Sequence, residues 1–299
     1  MTRSWRALGA IGLAATLAGC GADGTSPPSE PTAPTPQPAA DHLDVAYSTV
    51  PRRLALDLYT PAGTPPFPVV VWIHGGSWVS GDRAVFPGHP ALRLRDRGYA
   101  VATIDYRLVP EGFFPAQSHD CKAAVRWLRG NADRYGLDRS RIAAWGASAG
   151  GHLAALLGTS GGVATLEDPA QGNAGESSRV QAVVDWFGPT DYRLVDAEQQ
   201  LTAALLLGCP IAACPDKAAL ASPVSHVDGS DPPFLIQHGT ADRVVPIVHS
   251  ERLHGELLAA AVRSTFTRIE GAGHATIEFL SAENLARIDT FLDAELRGR

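Results

Sequence analysis

From about Asp41 onward the chain alternates short apolar runs with stretches of helical spacing. Arg53–Tyr59 alternates leucine and alanine with other residues, the period of an early strand. Pro68–Ile73 is continuously apolar (Pro-Val-Val-Val-Trp-Ile) and suits a strand buried on both faces. Ala100–Ile104, Arg141–Trp145, Val180–Phe187, Phe234–Gln237 and Ser264–Ile269 read as further strands. Between them lie helical patterns. Ala91–Arg97 is closed by Gly98, and a stretch from about Pro115 to Tyr135 places Cys121, Ala124, Val125 and Leu128 on one face before Gly136. Ser148 to about Leu157, Ser250–Ala261 and about Glu283–Leu296 complete the set. Strands alternating with helices predict an α/β fold: a mostly parallel central sheet with helices on both faces. The segment from about 190 to 232 lacks strong strand patterns and is expected as a small cap above the sheet's C-terminal edge.

The first forty residues follow another logic. Arg3 and Arg6 precede an uncharged apolar run, Ala7–Ala18, too short for the roughly 20 residues that span a bilayer. The run ends Leu17-Ala18-Gly19-Cys20, which resembles a bacterial lipobox, whose cysteine becomes the lipidated first residue of the mature chain. Gly21–Ala40 carries six prolines, a composition that favours extended polyproline conformations and builds no core. The expected organisation is an export leader (1–19), a lipidated Cys20 with a Pro-rich tether (20–40) and one catalytic domain (41–299). The expected location is the bacterial cell envelope, with the membrane engaged through Cys20.

Composition adds exclusions. Hydrophobic residues at 45% and charged residues at 19% rule out disorder throughout. A net charge of -6 gives no general attraction to phosphate backbones, so no nucleic-acid partner is expected. Cysteine usage agrees with export: Cys209 and Cys214 close a small loop suited to a disulfide, and Cys121, in a helical pattern, is expected as a buried free thiol.

The chemistry is carried by Gly146-Ala-Ser148-Ala-Gly150, a G-x-S-x-G sequence directly after a predicted strand and before a predicted helix. That context is the one a nucleophile elbow requires. A serine hydroxyl needs an adjacent base. His274, in Glu270-Gly-Ala-Gly-His274 after the last predicted strand, is the candidate. Asp242, in His238-Gly-Thr-Ala-Asp242 after the strand ending at Gln237, is the orienting carboxylate. The chain order Ser148, Asp242, His274 is that of α/β hydrolases. Backbone donors for an oxyanion are expected from Gly76 and Ser77, in the loop His74-Gly-Gly-Ser-Trp78, and from Ala149. Trp78, Trp186 and Val244 are candidate pocket residues, with Phe113 and Phe114 nearby.

These segments resemble the α/β-hydrolase esterases of the hormone-sensitive-lipase and feruloyl/acetyl-xylan-esterase (BD-FAE-like) type. The resemblance also rests on Asp105-Tyr-Arg-Leu108, Phe114-Pro-Ala116, Trp186-Phe-Gly-Pro-Thr-Asp191 and Ala221-Ser-Pro223, and spans roughly residues 44–292. It implies Ser148 as nucleophile, His274 as base, Asp242 as acid, and hydrolysis of short acyl or aryl esters without metal or organic cofactor. Where the lipase branch usually has a third glycine, this chain has Ser77. Asp105 and Arg107 read as a structural pair. An exported peptidase, or a polyester or lipid hydrolase, would use the same triad.

Overall fold

The computed structural model describes residues 39–194 and 197–298. The leader, Cys20 and nearly all of the Pro-rich stretch lie outside the described residues. In chain order the strands are β1 (Ala40–Ser48), β2 (Leu54–Thr60), β3 (Phe67–Ile73), β4 (Ala100–Ile104), β5 (Leu137–Ala147), β6 (Ala182–Trp186), β7 (Phe234–Gly239) and β8 (Ser264–Ile269). The helices are α1 (Arg93–Asp96), α2 (Ala116–Gly130), α3 (Ala132–Tyr135), α4 (Ala149–Thr159), α5 (Ala197–Leu207), α6 (Pro215–Ala221), α7 (Val248–Ala259) and α8 (Ala282–Arg297). One sheet has the order β1-β2-β4-β3-β5-β6-β7-β8, in which β2 runs against its neighbours and the strands from β4 to β8 are parallel.

The run in β3 is continuously apolar because both its faces are covered. Val69, Val71 and Ile73 join a core with α2, α4 and α7, whereas Val70 and Trp72 join a second core with α1 and α8. In that second core the rings of Trp72, Trp145 and Trp186 meet edge to face, with centroids 5.2 Å apart for Trp72–Trp145 and 5.0 Å for Trp145–Trp186.

The structure departs from the sequence pattern in three places. The pattern predicts no strand at β1. Its register against β2 shifts between His42 and Val45 and again between Ala46 and Ser48, so its side chains do not keep a period of two. The single helix expected over 115–135 is two, α2 and α3, meeting at Asn131, whose side chain donates back to the Trp127 carbonyl. The expected pair Asp105–Arg107 is not a pair. Asp105 accepts from Arg83 and Arg107 binds Asp120 bidentately, because each side chain leaves the end of β4 towards a different element.

The segment 190–232 holds α5, α6 and short 3-10 turns. Cys209 and Cys214 form a disulfide (S–S 2.04 Å) between α5 and α6. Cys121 is buried and unbonded.

Candidate active site

Ser148 stands alone between β5 and α4, with φ 57° and ψ -120°. A non-glycine residue there costs on the order of 1–3 kcal/mol and persists only when its surroundings over-determine it. They do: the Ser148 amide donates to the Trp186 carbonyl (2.9 Å), and the Ser148 carbonyl accepts from the His152 amide (2.9 Å). The flanking glycines are a steric necessity. A Cβ on Gly146 would lie 2.1 Å from the Gly150 carbonyl oxygen, and one on Gly150 would lie 2.0 Å from that of Ile73. Gly151 is equally constrained, 2.5 Å from Asp185 Oδ1, which the spacing of the motif did not require.

The three predicted triad side chains meet at this turn. His274, after β8, places Nε2 at 3.0 Å from Ser148 Oγ and Nδ1 at 2.7 Å from Asp242 Oδ2. A carboxylate only accepts, so Nδ1 carries the proton and Nε2 is free to accept from the serine. The Asp242 side chain is fully buried, and its Oδ1 accepts the amides of Val244 (2.8 Å) and Val245 (2.9 Å). Burial opposes its charge, but hydrogen bonds from His238, His274 and the Val245 amide outweigh it and hold the carboxyl well below its usual range. Asp242 therefore stays ionised wherever the imidazole works. The Phe187 ring stands edge-on to His274, with centroids 4.7 Å apart.

The loop after β3 lies against the elbow, since a Cβ on Gly75 would approach the Ala147 carbonyl oxygen to 2.8 Å and Ser148 Cβ to 3.4 Å. Gly76 turns the chain at φ 110°, and its carbonyl accepts the amides of Val79 and Ser80. Ser77 and Trp78 follow, also with positive φ. Ala149 opens α4, where an amide has no carbonyl one helical turn earlier and where the helix dipole favours negative charge. Ser77 and Ala149 line a cavity with Ser148; Gly76 supplies the turn behind it.

That cavity is about 70 Å³. Its walls include Trp78, Tyr192 and Val244, and Thr202 and Ala203 of α5 also line it, so the cap segment contributes directly to it. Two expectations change here. Trp186 does not line the cavity. Along β6 side chains alternate, and Asp185 faces α4 at Gly151, so Trp186 points to the opposite face, against Trp145 and Phe279. Phe114 is likewise core, while Phe113 is exposed beside Gly208. Tyr192 and His249 also line the cavity; the pattern does not single them out, because Tyr192 lies in the segment without strong periodicity and His249 precedes the helix expected from Ser250, although α7 starts at Val248. Asp185 is buried beneath the elbow with one partner among the described residues, the Gly188 amide, and burial raises its carboxyl to about 6. Among the described residues no group of three or more His, Cys, Asp or Glu side chains is placed to hold a metal ion.

The BD-FAE family model matches residues 56–257. The chain is 36% identical over 247 residues to Esterase LipC of Mycobacterium tuberculosis, covering 77% of this chain and 58% of LipC. It spans roughly half to three-fifths of the length of the curated relatives it matches first. Among solved structures, a truncated carbohydrate esterase from gut microbiota is similar with TM-score 0.79 and 31% identity, over 88% of this chain and 99% of that one. Thermogutta terrifontis esterase 2 phosphorylated by paraoxon is similar with TM-score 0.67 and 28% identity, over 85% and 90% of the two chains. The sheet is that of the α/β-hydrolase esterases, and with two-thirds of its length matched the chain belongs to the BD-FAE family.

Proposed function

We propose that the protein is a serine carboxylesterase that works through an acyl-enzyme and prefers short acyl groups. The observation that carries this reading is the unbroken line Ser148 Oγ, His274, Asp242 on a strained elbow at the mouth of a small cavity. His274 Nε2 takes the hydroxyl proton as Oγ attacks the ester carbonyl. Amides of the Ser77 and Ala149 region bear the oxyanion, each such donor being worth about 3 kcal/mol where it has been removed from other enzymes. The imidazolium then protonates the departing alcohol. Water, activated by the same imidazole, hydrolyses the acyl-serine.

Cavity size supports the substrate preference. The cavity beside Ser148 is small, and Trp78, Ala203 and Val244 give it apolar walls. An acetyl to butyryl group suits such a space. His274, which protonates the leaving alcohol, stands beside Ser148 and is not among the residues that line the cavity, an arrangement that suits acetyl esters of bulky alcohols, carbohydrates among them. The similarity to a carbohydrate esterase supports the same choice. We also propose that residues 1–19 direct export and that Cys20 carries a lipid anchor at the cell envelope, a reading supported by Leu17-Ala-Gly-Cys20.

The test is hydrolysis of p-nitrophenyl esters from two to sixteen carbons, beside methyl ferulate and a peptide anilide. Turnover should peak at two to four carbons and fall at least about a thousandfold in Ser148→Ala. Cleavage of the anilide, or turnover that survives Ser148→Ala, would overturn the assignment.

A further inference from the structure

Asp242 is approached by a second imidazole. His238, in β7, is fully buried, and its Nε2 lies 2.8 Å from the Val245 carbonyl oxygen and 3.4 Å from Asp242 Oδ2. A carbonyl oxygen only accepts, so Nε2 carries the proton. Nδ1, 2.7 Å from Ser250 Oγ, is then the acceptor of the Ser250 hydroxyl. Ser250 lies in the first turn of α7. Val245 is thereby held at both ends: its amide donates to Asp242 Oδ1, and its carbonyl accepts from His238. The carboxylate has no free rotation left, since Oδ1 is fixed by two amides and Oδ2 faces two imidazoles.

The surroundings of His238 leave that N–H directed to Asp242 and Val245. From β6, Asp185 is the other carboxyl that interacts with it electrostatically. Across the ladder in β8, Arg268 is opposite His238 in register but pairs with Glu251 at the surface. The Phe187 ring stands edge-on with centroids 6.4 Å apart, and α7 contributes the Ser250 hydroxyl.

We propose that His238 is a positioning residue for Asp242, acting through the Val245 carbonyl and its close approach to Oδ2, and that Ser250 fixes its tautomer, extending the line Ser148–His274–Asp242 by two groups. The proposal rests on the esterase reading above. It has two consequences of different kind. The His238 N–H shares Oδ2 with His274, so its removal concentrates the carboxylate's charge on His274 and favours the imidazolium. Its removal also releases the Val245 carbonyl and loosens the loop that aims Asp242. Turnover should fall, and the acid limb of the kcat/KM profile should move to higher pH. A residue that only filled space would lower the amount of active enzyme and leave that limb in place.

The experiment compares His238→Leu, His238→Gln and Ser250→Ala in the full chain with p-nitrophenyl acetate. Active sites are counted by mass after paraoxon phosphorylates Ser148. His238→Leu is expected to lose about tenfold to a hundredfold in kcat per labelled site, the scale on which misplaced catalytic geometry costs rate. KM should change little, and the acid limb should rise. In His238→Gln the amide N–H can reach the same two oxygens and should recover most of the loss. Ser250→Ala should move the limb in the same direction by less. Unchanged kcat per site and an unmoved limb in His238→Leu and Ser250→Ala overturn the proposal. Should His238→Leu not fold, a wild-type profile in Ser250→Ala overturns it alone. Wild-type protein that neither labels at Ser148 nor turns over the ester overturns the esterase reading instead, whatever the variants do.

Discussion

Asp185 carries a carboxyl into the sheet beneath the elbow, where its Oδ2 has no hydrogen-bond partner among the described residues. Burial raises that group from the ordinary carboxylate value to about 6, with the Gly188 amide and the nearby His238 opposing the rise. The sign follows from proton counting. Between about pH 4 and pH 6 the folded chain holds this proton while the unfolded chain has lost it. Stability is therefore highest, for this group, below the unfolded value and declines as pH rises through about 6. Asp185→Asn keeps an oxygen for the Gly188 amide and cannot ionise. Its unfolding free energy should match the wild type near pH 4 and exceed it at pH 8 by on the order of 2 kcal/mol, read from urea melts at the two pH values. A constant difference between the two pH values would mean that Asp185 is not protonated in the fold. The two buried carboxylates near the site thus have opposite fates. Asp242 is kept charged by two amides and two imidazoles, and Asp185, with the Gly188 amide as its one donor among the described residues, holds its proton up to about pH 6.

At the scale of elements, what could be read depended on how completely an element was buried. β3 and the β5–α4 elbow are covered on both sides, so their apolar runs and glycines are dictated by contact, and both were legible. α5 was not. Leu201 and Leu205 are exposed while Leu206 and Leu207 are buried, so its leucines spread around the helix without one apolar face. β1 was hidden by its two register shifts. Trp186 shows a different limit. Its place near the end of β6 agrees with the pattern, but the face it takes depends on a period of two that a short, wholly buried strand conceals. The distinction is measurable. Trp186→Ala should destabilise the fold by about 3–5 kcal/mol through loss of core packing and leave acyl-length preference unchanged. Trp78→Ala removes a wall of the cavity and should shift that preference towards longer chains. A changed preference in the first variant, or an unchanged one in the second, would reverse their assignments.

For the molecule as a whole, the triad is assembled from three separated loops at one edge of the sheet, after β5, β7 and β8. Their order along the chain was readable because each loop follows a buried strand. The cavity beside Ser148 was not, because its walls come from the β3 loop, α5 and the loop at Val244, which the sheet topology joins only in space. One contact ties these scales together. The carbonyl of Trp186 accepts the amide of Ser148, while its indole interlocks with Trp72 and Trp145 on the far side of the same strand. The nucleophile's backbone and three of the protein's six tryptophans therefore share one anchor. The molecule carries an optical gauge of its own competence: in increasing urea, indole emission and ester turnover should be lost along one curve, with no range in which the core still glows as native while the serine has fallen out of line.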